Sequence, residues 1–541
     1  MRKAGLLLLL ILAVPVNASP FLIDIAWADP PTLARPLLNQ PLVAQVTATA
    51  LVFMAPRTLE EVPVPQMALW GLRGVAALDP RLLADLKGGG KSDGTLVLSG
   101  PSGRVLLSRP APPATDATAW GEAIAQVIRA AWDASDQVRH AGTQGIIRSF
   151  FDELFNHMDP YSRYSPPREA EADRVRRAGR AGVGLDVAYR GGGFVVAGVQ
   201  AGSPAAQAGI RPGERLLAVD GASTQGADLQ AVAALLAGPE RTHVILTLRG
   251  RDDRTRSVEL ERSLIPPETV FVQRAGDLLV LRITGFSRNT GSRLAQELIR
   301  GVSDPSPPRG VVIDLRGNRG GVLQQAVAAA AMLQADGVVA VTAGRDPDAA
   351  HVFLADGKDL ARFLPVVVLV DGGSASAAEI LAASLADQRR AVVVGSATLG
   401  KGLVQTITAL PDGGELLVTW SRVLAPLGWP LQSLGVLPQV CTSLGQEVLN
   451  RQLATLARGI QPMAAALARH RAARPPLPPA EALEIRAACP AALGGEADLA
   501  AARTLIDSPA AYAAALLALP PGGPARLPAP QSLTPTAPVS N

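Results

Sequence analysis

The sequence predicts a multi-domain α/β protein: a sheet-and-helix core preceded by a small β-rich domain and an N-terminal helical region. Three observations lead there. The chain has 541 residues, more than one ordinary hydrophobic core supports. From Thr269 to Val440, β-branched runs such as VVIDLRG, VVVLVDGG and AVVVGSA alternate with helix-compatible stretches, which is the order of α/β layers around a largely parallel, buried sheet. From Gly182 to about Ser263, Gly-bounded strands surround one amphipathic stretch, DLQAVAALLAG, as in a small β-rich unit.

The flanks read differently. From near Pro41 to Leu86, apolar positions recur at helical spacing, most clearly in TALVFMAPRTLEEV and QMALWGLRGVAALDPRLLADL. GGGKSDG breaks that pattern, and TLVLSG-PSG-RVLLSR has the form of a hairpin around a Pro-Ser-Gly turn. A Pro-rich linker, RPAPPATD, leads to a second helical segment from about Ala119 to His157. The last hundred residues are Ala- and Leu-rich helix followed by PPGGPARLPAPQSLTPTAPVSN, a composition that buries too little apolar area to order itself. The expected division is 1–28 signal peptide, 29–175 mostly helical region with a hairpin, 176–265 small β domain, 266–440 core, and 441–541 helical tail with a disordered end.

Composition narrows the function. Hydrophobic residues make up 48% and charged residues 18%, with a formal net charge of +4, and no Lys/Arg run carries the interleaved aromatics that hold nucleic acid. The start, MRKAGLLLLLILAVPVNASPFLIDIAWADPP, joins a basic pair to a short apolar run and to small residues at Ala18 and Ala28. That is the form of a secretory signal, which places the protein in the periplasm or cell envelope. An uncleaved anchor would hold the same domains at a membrane surface. Cys441 and Cys489 are the two cysteines; in an oxidising compartment they pair or remain two buried thiols. In the chain-entropy model a bridge of that loop length is worth about 4 kcal/mol. No Cys/His cluster has metal-ligand spacing, and no metal or organic cofactor is expected.

The chemistry sits in two strand-ending segments. In VVVLVDGGSASAAEILAASLADQ a buried strand ends at Asp371, two glycines permit a sharp turn, and a helix follows. Ser374 and Ser376 therefore lie at a strand-to-helix junction, where the first helical amides, such as that of Ala377, have no partner inside the helix. Such an amide can stabilise an oxyanion, although serine there is also an ordinary helix cap. In AVVVGSATLGKGLVQTITAL a second strand leads to Lys401, between Gly400 and Gly402. Burial at the mouth of a sheet lowers a lysine's pKa, which fits it to take a proton from serine. Gln405 lies on the same side of the following strand, in reach of that amine. The five histidines, His140, His157, His243, His351 and His470, stand near no Gly-x-Ser-x-Gly elbow.

Taken together, these residues resemble the carboxyl-terminal processing (tail-specific) proteases. Seven blocks carry the resemblance in order: MDPYSRYSPPREAEADR, GVGL, FSRNTGSRLAQEL, VVIDLRGNRGG, GSASAAEILAASLAD, GSATLGKGLVQT and GWPLQSLGVLPQV, spanning about Gly142 to Val440. The resemblance implies an exported serine endopeptidase that cleaves proteins near their C-termini without cofactors. It implies Ser376 as nucleophile, Lys401 as general base, Gln405 as the residue orienting the lysine, and the amides of Gly320 and Ala377 as oxyanion donors. Glu379 and Thr398 match supporting polar positions. The small β unit resembles a PDZ domain, so Gly182, Val183, Gly184 and Leu185 are expected to receive the terminal carboxylate of a polypeptide with an exposed C-terminus. The chain departs from the family at Arg319, where a proline or small residue is usual, and at Gln439, where an acid is usual.

Two rival functions are open to the same residues. Gly395 to Lys401 fit seven positions of a phosphate-binding loop, but Gly402 lacks the hydroxyl that would hold Mg²⁺ and the next segment is β-like. The other rival is a non-catalytic envelope scaffold that binds protein tails through the PDZ unit. Such a scaffold has no use for Ser376, Lys401 and Gln405 together. Oligomeric state is not legible in the sequence.

Overall fold

The core is built on a six-stranded sheet that begins at its antiparallel edge with Val270–Ala275 and then runs parallel through Leu278–Ile283, Gly310–Asp314, Val366–Val370, Val392–Gly395 and Val440–Cys441. The central strands Gly310–Asp314, Val366–Val370 and Val392–Gly395 are buried throughout, as a sheet covered on both faces requires. On one face lie the helices Thr290–Val302, Leu323–Ala331 and Ala377–Asp387. The helices Gln446–Ala457 and Glu496–Asp507, from the tail, cover the other. The computed structural model describes residues 37–88 and 94–516. The signal-like start, part of the GGGKSDG break and the Pro-rich end lie outside the described residues.

A second, antiparallel sheet packs beside the first: His351–Ala355, Gly337–Gly344, Glu415–Leu424 and Leu403–Ala409, with Arg163–Ser165 also pairing with Glu415–Leu424. Its last long strand, LVQTITA, is the β segment expected after Lys401. The sheet therefore joins the chain before the small β domain to the strand that follows Lys401.

The N-terminal region packs the helices Gln40–Arg57, Val64–Ala77, Ala117–Ala134 and Asp136–Asn156 around Trp120, Phe150 and Phe151. Asn39, Asp116 and Ser135 cap three of them. The expected hairpin is present as Thr95–Ser99 and Val105–Pro110 around Pro101–Gly103. One expectation is corrected here: the helical pattern ends at Ala77, and Leu83–Lys87 is a strand paired with Thr95–Ser99. Asp79 stops the helix by accepting from the Arg81 amide, and ladder pairing then overrides the helical spacing of RLLADL.

The small β domain orders its strands Thr255–Glu261, His243–Arg249, Arg215–Val219, Gly193–Val199 and Leu185–Arg190, with the helix Leu229–Leu236 packed over them. Its two ends are tied together at its root, where Arg180–Gly182 pairs with Ser263–Ile265. The described residues from Leu38 onward form one compact unit. Among the described residues, no helix is long and apolar enough to cross a membrane.

Candidate active site

The strand Val366–Val370 delivers the chain to a turn pinned by Asp371, whose Oδ1 accepts from the amides of Gly373 and Gly317. Ser374 closes this turn: its Oγ donates to Leu315 O and accepts from the Asp371 amide. Ser374 is thus fully buried and spent on structure. Ser376, two residues on, sits at φ 56° and ψ −118°, a region that non-glycine residues rarely occupy and that costs about 1–3 kcal/mol. The strain turns the chain sharply into the helix Ala377–Asp387. Ala377 opens that helix, so its amide stands outside the helical ladder.

Glu379 organises the site from beneath. Its carboxylate is fully buried and accepts four hydrogen bonds: Thr398 Oγ1 at 2.5 Å and Gly400 N at 2.7 Å on Oε1, Ser376 N at 2.7 Å and Lys401 N at 2.9 Å on Oε2. Burial pushes its pKa up, and the donors oppose that shift. Thr398 extends the chain of contacts, because its Oγ1 also accepts from Val436 N at 2.7 Å.

Lys401 follows the strand Val392–Gly395, in a loop where Gly400 takes φ 87° and a Cβ on Gly402 would lie 2.1 Å from Gln432 N. Two small residues therefore let the Gln432–Gly435 segment press against the lysine loop. The Lys401 amine lies 4.9 Å from the centre of the Tyr161 ring, a cation–π distance. Burial lowers its pKa, and the nearby Arg163 lowers it further, while Asp159 and Glu379 pull it back up. Sequence reasoning alone gave Asp159, Tyr161 and Arg163 no role, since they enter from a segment more than two hundred residues away. The only local signal is the Asp-Pro turn, in which Asp159 Oδ1 accepts from the Tyr161 and Ser162 amides.

Gln405 is set by an irregularity in its strand between Val404 and Gln405. Its Nε2 donates to Leu403 O and Thr419 Oγ1, both at 3.1 Å, and Thr419 Oγ1 donates in turn to Asp159 at 2.6 Å. The amide nitrogen is thereby fixed, leaving the carbonyl oxygen as the group able to accept from an amine.

Gly320 lies against the Ser376 turn. A Cβ there would come within 2.8 Å of the Ser376 Cβ and 3.0 Å of the Ala377 amide, and its φ of 94° suits only glycine. Its own amide, however, donates to Asn318 Oδ1 at 2.8 Å. Ala377 therefore offers an uncommitted amide in this arrangement, whereas Gly320 would first have to exchange its bond to Asn318. Arg319 forms no part of that lock, which runs through Asn318 to Ile283 O.

In the small β domain, Gly184 takes φ 76° and a Cβ on it would strike Ser203 at 2.2 Å. Val183 O and Gly184 O accept from Ala205 N and Gln200 N. Leu185 begins the strand Leu185–Arg190, which is the edge of its sheet and lies beside the helix Leu229–Leu236. An edge strand beside a helix has the form that accepts an added peptide strand. Cys441 and Cys489 are joined as a disulfide. No group of His, Cys, Asp and Glu able to hold a metal occurs among the described residues.

A strained serine at a strand-to-helix turn, a half-buried lysine beside it in the fold and an attached β domain with an open edge define a class, the serine-type peptidases with a peptide-binding module. The comparisons agree. The Peptidase family S41 model matches residues 277–442 and a PDZ domain model matches residues 195–250. The carboxy-terminal-processing protease of Bartonella bacilliformis is 32% identical over 302 residues, 55% of this chain and 69% of that protein. The chloroplastic C-terminal processing peptidase of Tetradesmus obliquus is 33% identical over 340 residues, 59% of this chain and 72% of that one. A solved photosystem II D1 C-terminal processing protease is 28% identical, with a TM-score of 0.33, over 69% of this chain and 92% of its own. The chain belongs to the carboxy-terminal processing protease family and is a serine-type peptidase with a PDZ domain.

Proposed function

We propose that Ser376 and Lys401 form the catalytic pair of an exported C-terminal processing protease, with the PDZ domain capturing the substrate's tail. The observation that carries the pair is the Glu379 carboxylate, which takes the backbone amides of both residues on one oxygen. In this reading a neutral Lys401 takes the Ser376 proton, and Ser376 Oγ attacks the scissile carbonyl. The Ala377 amide bears the oxyanion, joined by Gly320 once Asn318 releases it. The C–N bond then breaks as protonated Lys401 gives its proton to the leaving amine. Water deprotonated by the regenerated Lys401 amine hydrolyses the acyl-enzyme ester, returning the proton to Ser376 Oγ. Gln405 orients the amine through its carbonyl oxygen. Desolvation of Lys401 supports its role, since a free base is needed near neutral pH.

The loop Gly182–Leu185 and the strand after it would take the C-terminal residues of an extended polypeptide, raising the local concentration of the tail at the active site. The boundaries 29–175, 176–265, 266–440 and 441–541 serve this division of labour. Export to the periplasm or envelope rests on the signal-like start and accords with the disulfide.

The test uses protein from residue 29 onward with an unstructured polypeptide substrate. Wild type should cleave it; Ser376→Ala and Lys401→Ala should not. Cleavage by Lys401→Ala at more than a few per cent of the wild-type rate would end the pair. Tail binding by all three proteins without any cleavage would point to the scaffold instead.

A further inference from the structure

Residues 446–516 lie beyond the matched S41 region, which ends at residue 442, yet one stretch of them touches each loop of the active site. Arg486 reaches out of the helix Pro479–Arg486 and donates from Nη2 to Thr398 O and from Nη1 to Leu434 O, each at 2.7 Å. One planar guanidinium thus clamps the lysine loop to the segment packed against it, a geometry for which arginine is suited and lysine is not. Ala492 accepts from Gly372 N at 2.8 Å, in the nucleophile turn, and exchanges two hydrogen bonds with Ser396 Oγ. Gly494 N donates to Asp371 Oδ2, and Gly495 O accepts from Arg316, beside the Gly317–Gly321 loop. The Cys441–Cys489 bridge anchors this stretch three residues after Arg486, at the end of the core sheet.

We infer that Arg486 is a positioning residue for proteolysis, acting through Thr398 and Glu379 on Lys401 and Ser376, and that the disulfide holds it in place. The path is continuous: Arg486 fixes the Thr398 backbone, Thr398 Oγ1 donates to Glu379, and Glu379 holds the Ser376 and Lys401 amides. Loss of the clamp lets the lysine loop move away from the Gln432–Gly435 segment and admits water to the amine. The inference rests on the proposed Ser376–Lys401 pair.

The charged groups facing Lys401 are Asp159 and Arg163 from the segment before the small β domain and Glu379 from the helix after Ser376, with Arg486 facing Glu379 from the tail. With the amine rehydrated, its pKa rises toward the ordinary lysine value. The acid limb of kcat then moves to higher pH.

The experiment compares wild type, Arg486→Met, Arg486→Lys, the double variant Cys441→Ser/Cys489→Ser and each Arg486 variant combined with that double variant, with Lys401→Ala as control. Thermal unfolding, kcat, KM and the pH profile of kcat are measured on each. Arg486→Met should lose at least about tenfold in kcat with KM within twofold, and its acid limb should move upward. Arg486→Lys keeps the buried cation but not the double clamp, and should show the same shift to a smaller degree, which carries the test if the methionine variant does not fold. Removing the disulfide should lower kcat in wild type and add little in the Arg486 variants, because the two act along one path. A folded Arg486 variant with wild-type kcat overturns the inference, and so does a fall in kcat with an unmoved pH profile. If Lys401→Ala stays active, the catalytic pair fails and this inference with it; if that control is dead while the Arg486 variants are normal, only this inference fails.

Discussion

The backbone amides of Ser376 and Lys401 donate to the same atom, Glu379 Oε2, at 2.7 and 2.9 Å. Two residues that the sequence separates by a helix and a strand are thus fixed by one buried carboxylate, whose other oxygen holds Thr398 and Gly400. Glu379→Gln replaces one of these oxygens by an NH₂ group that meets two donors and can accept from neither. Each orphaned buried donor costs about 1–3 kcal/mol. The variant is expected to unfold at lower temperature and to lose about a hundredfold or more in kcat, with little change in KM, which steady-state kinetics and thermal unfolding will read.

Lys401 carries a burial cost on its charged form. Its pKa is lowered in the folded protein, so between the folded and unfolded pKa values the unfolded chain binds more protons, and stability rises with pH through that window. Below the folded value the cost of the buried ammonium is present in full, and above the ordinary lysine value it vanishes. Lys401→Met, which fills the same space without the charge, should be inactive yet more stable than wild type at pH 7, and the gap should narrow as the pH approaches 10. Activity of the wild type should fall on acidification through the lowered lysine pKa. Denaturant titrations across pH check the first expectation, and a pH–kcat profile checks the second.

Ser376 carries a different kind of strain, in its backbone. At φ 56° and ψ −118° a side chain is disfavoured, and glycine is not. Ser376→Ala keeps the Cβ and with it the strain; Ser376→Gly releases it at some entropic cost. Both should be inactive, and the glycine variant should exceed the alanine variant by about 1 kcal/mol in unfolding free energy, the balance of strain relief against glycine's added freedom. A glycine variant less stable than the alanine variant by about 0.5–1 kcal/mol in a denaturant titration, the cost of glycine's freedom with no strain to relieve, would show that the turn is not strained.

Much of this was legible in the sequence. The parallel sheet was readable because buried strands such as VVVLV are continuous apolar runs, and the turn at Ser374 and Ser376 because two glycines precede the serines. What escaped was what depends on distant segments. The strand Leu83–Lys87 takes its conformation from pairing with Thr95–Ser99 rather than from its own spacing. Tyr161 reaches Lys401 across 240 positions, and Arg486 reaches Thr398 across 88. Neither contact leaves a periodic trace. The commitment of the Gly320 amide to Asn318 is likewise a matter of side-chain geometry that a motif does not record.

His470 supplies the last expectation, because it sits in the tail yet holds the core. It is almost fully buried, packs edge-on against Trp429 and bonds through Nε2 to Gly435 O at 2.9 Å, in the segment that Arg486 clamps. The carbonyl partner requires the N–H at Nε2, and burial keeps the ring neutral, which leaves Nδ1 unprotonated. Burial lowers its pKa from 6.5 to about 3. The unfolded chain therefore takes up a proton that the folded one refuses, and the stabilisation, complete above pH 6.5, is lost as the pH falls toward 3. The shift corresponds to roughly 5 kcal/mol over the whole window. His470→Gln keeps an N–H donor for Gly435 O and does not titrate, so its stability should fall less than that of wild type between pH 6.5 and 4, although it starts lower at pH 7 through lost packing on Trp429. Parallel acid denaturation curves for the two proteins would show that His470 is protonated in the folded state and that the tail's hold on the Gln432–Gly435 segment is not acid-labile at this residue.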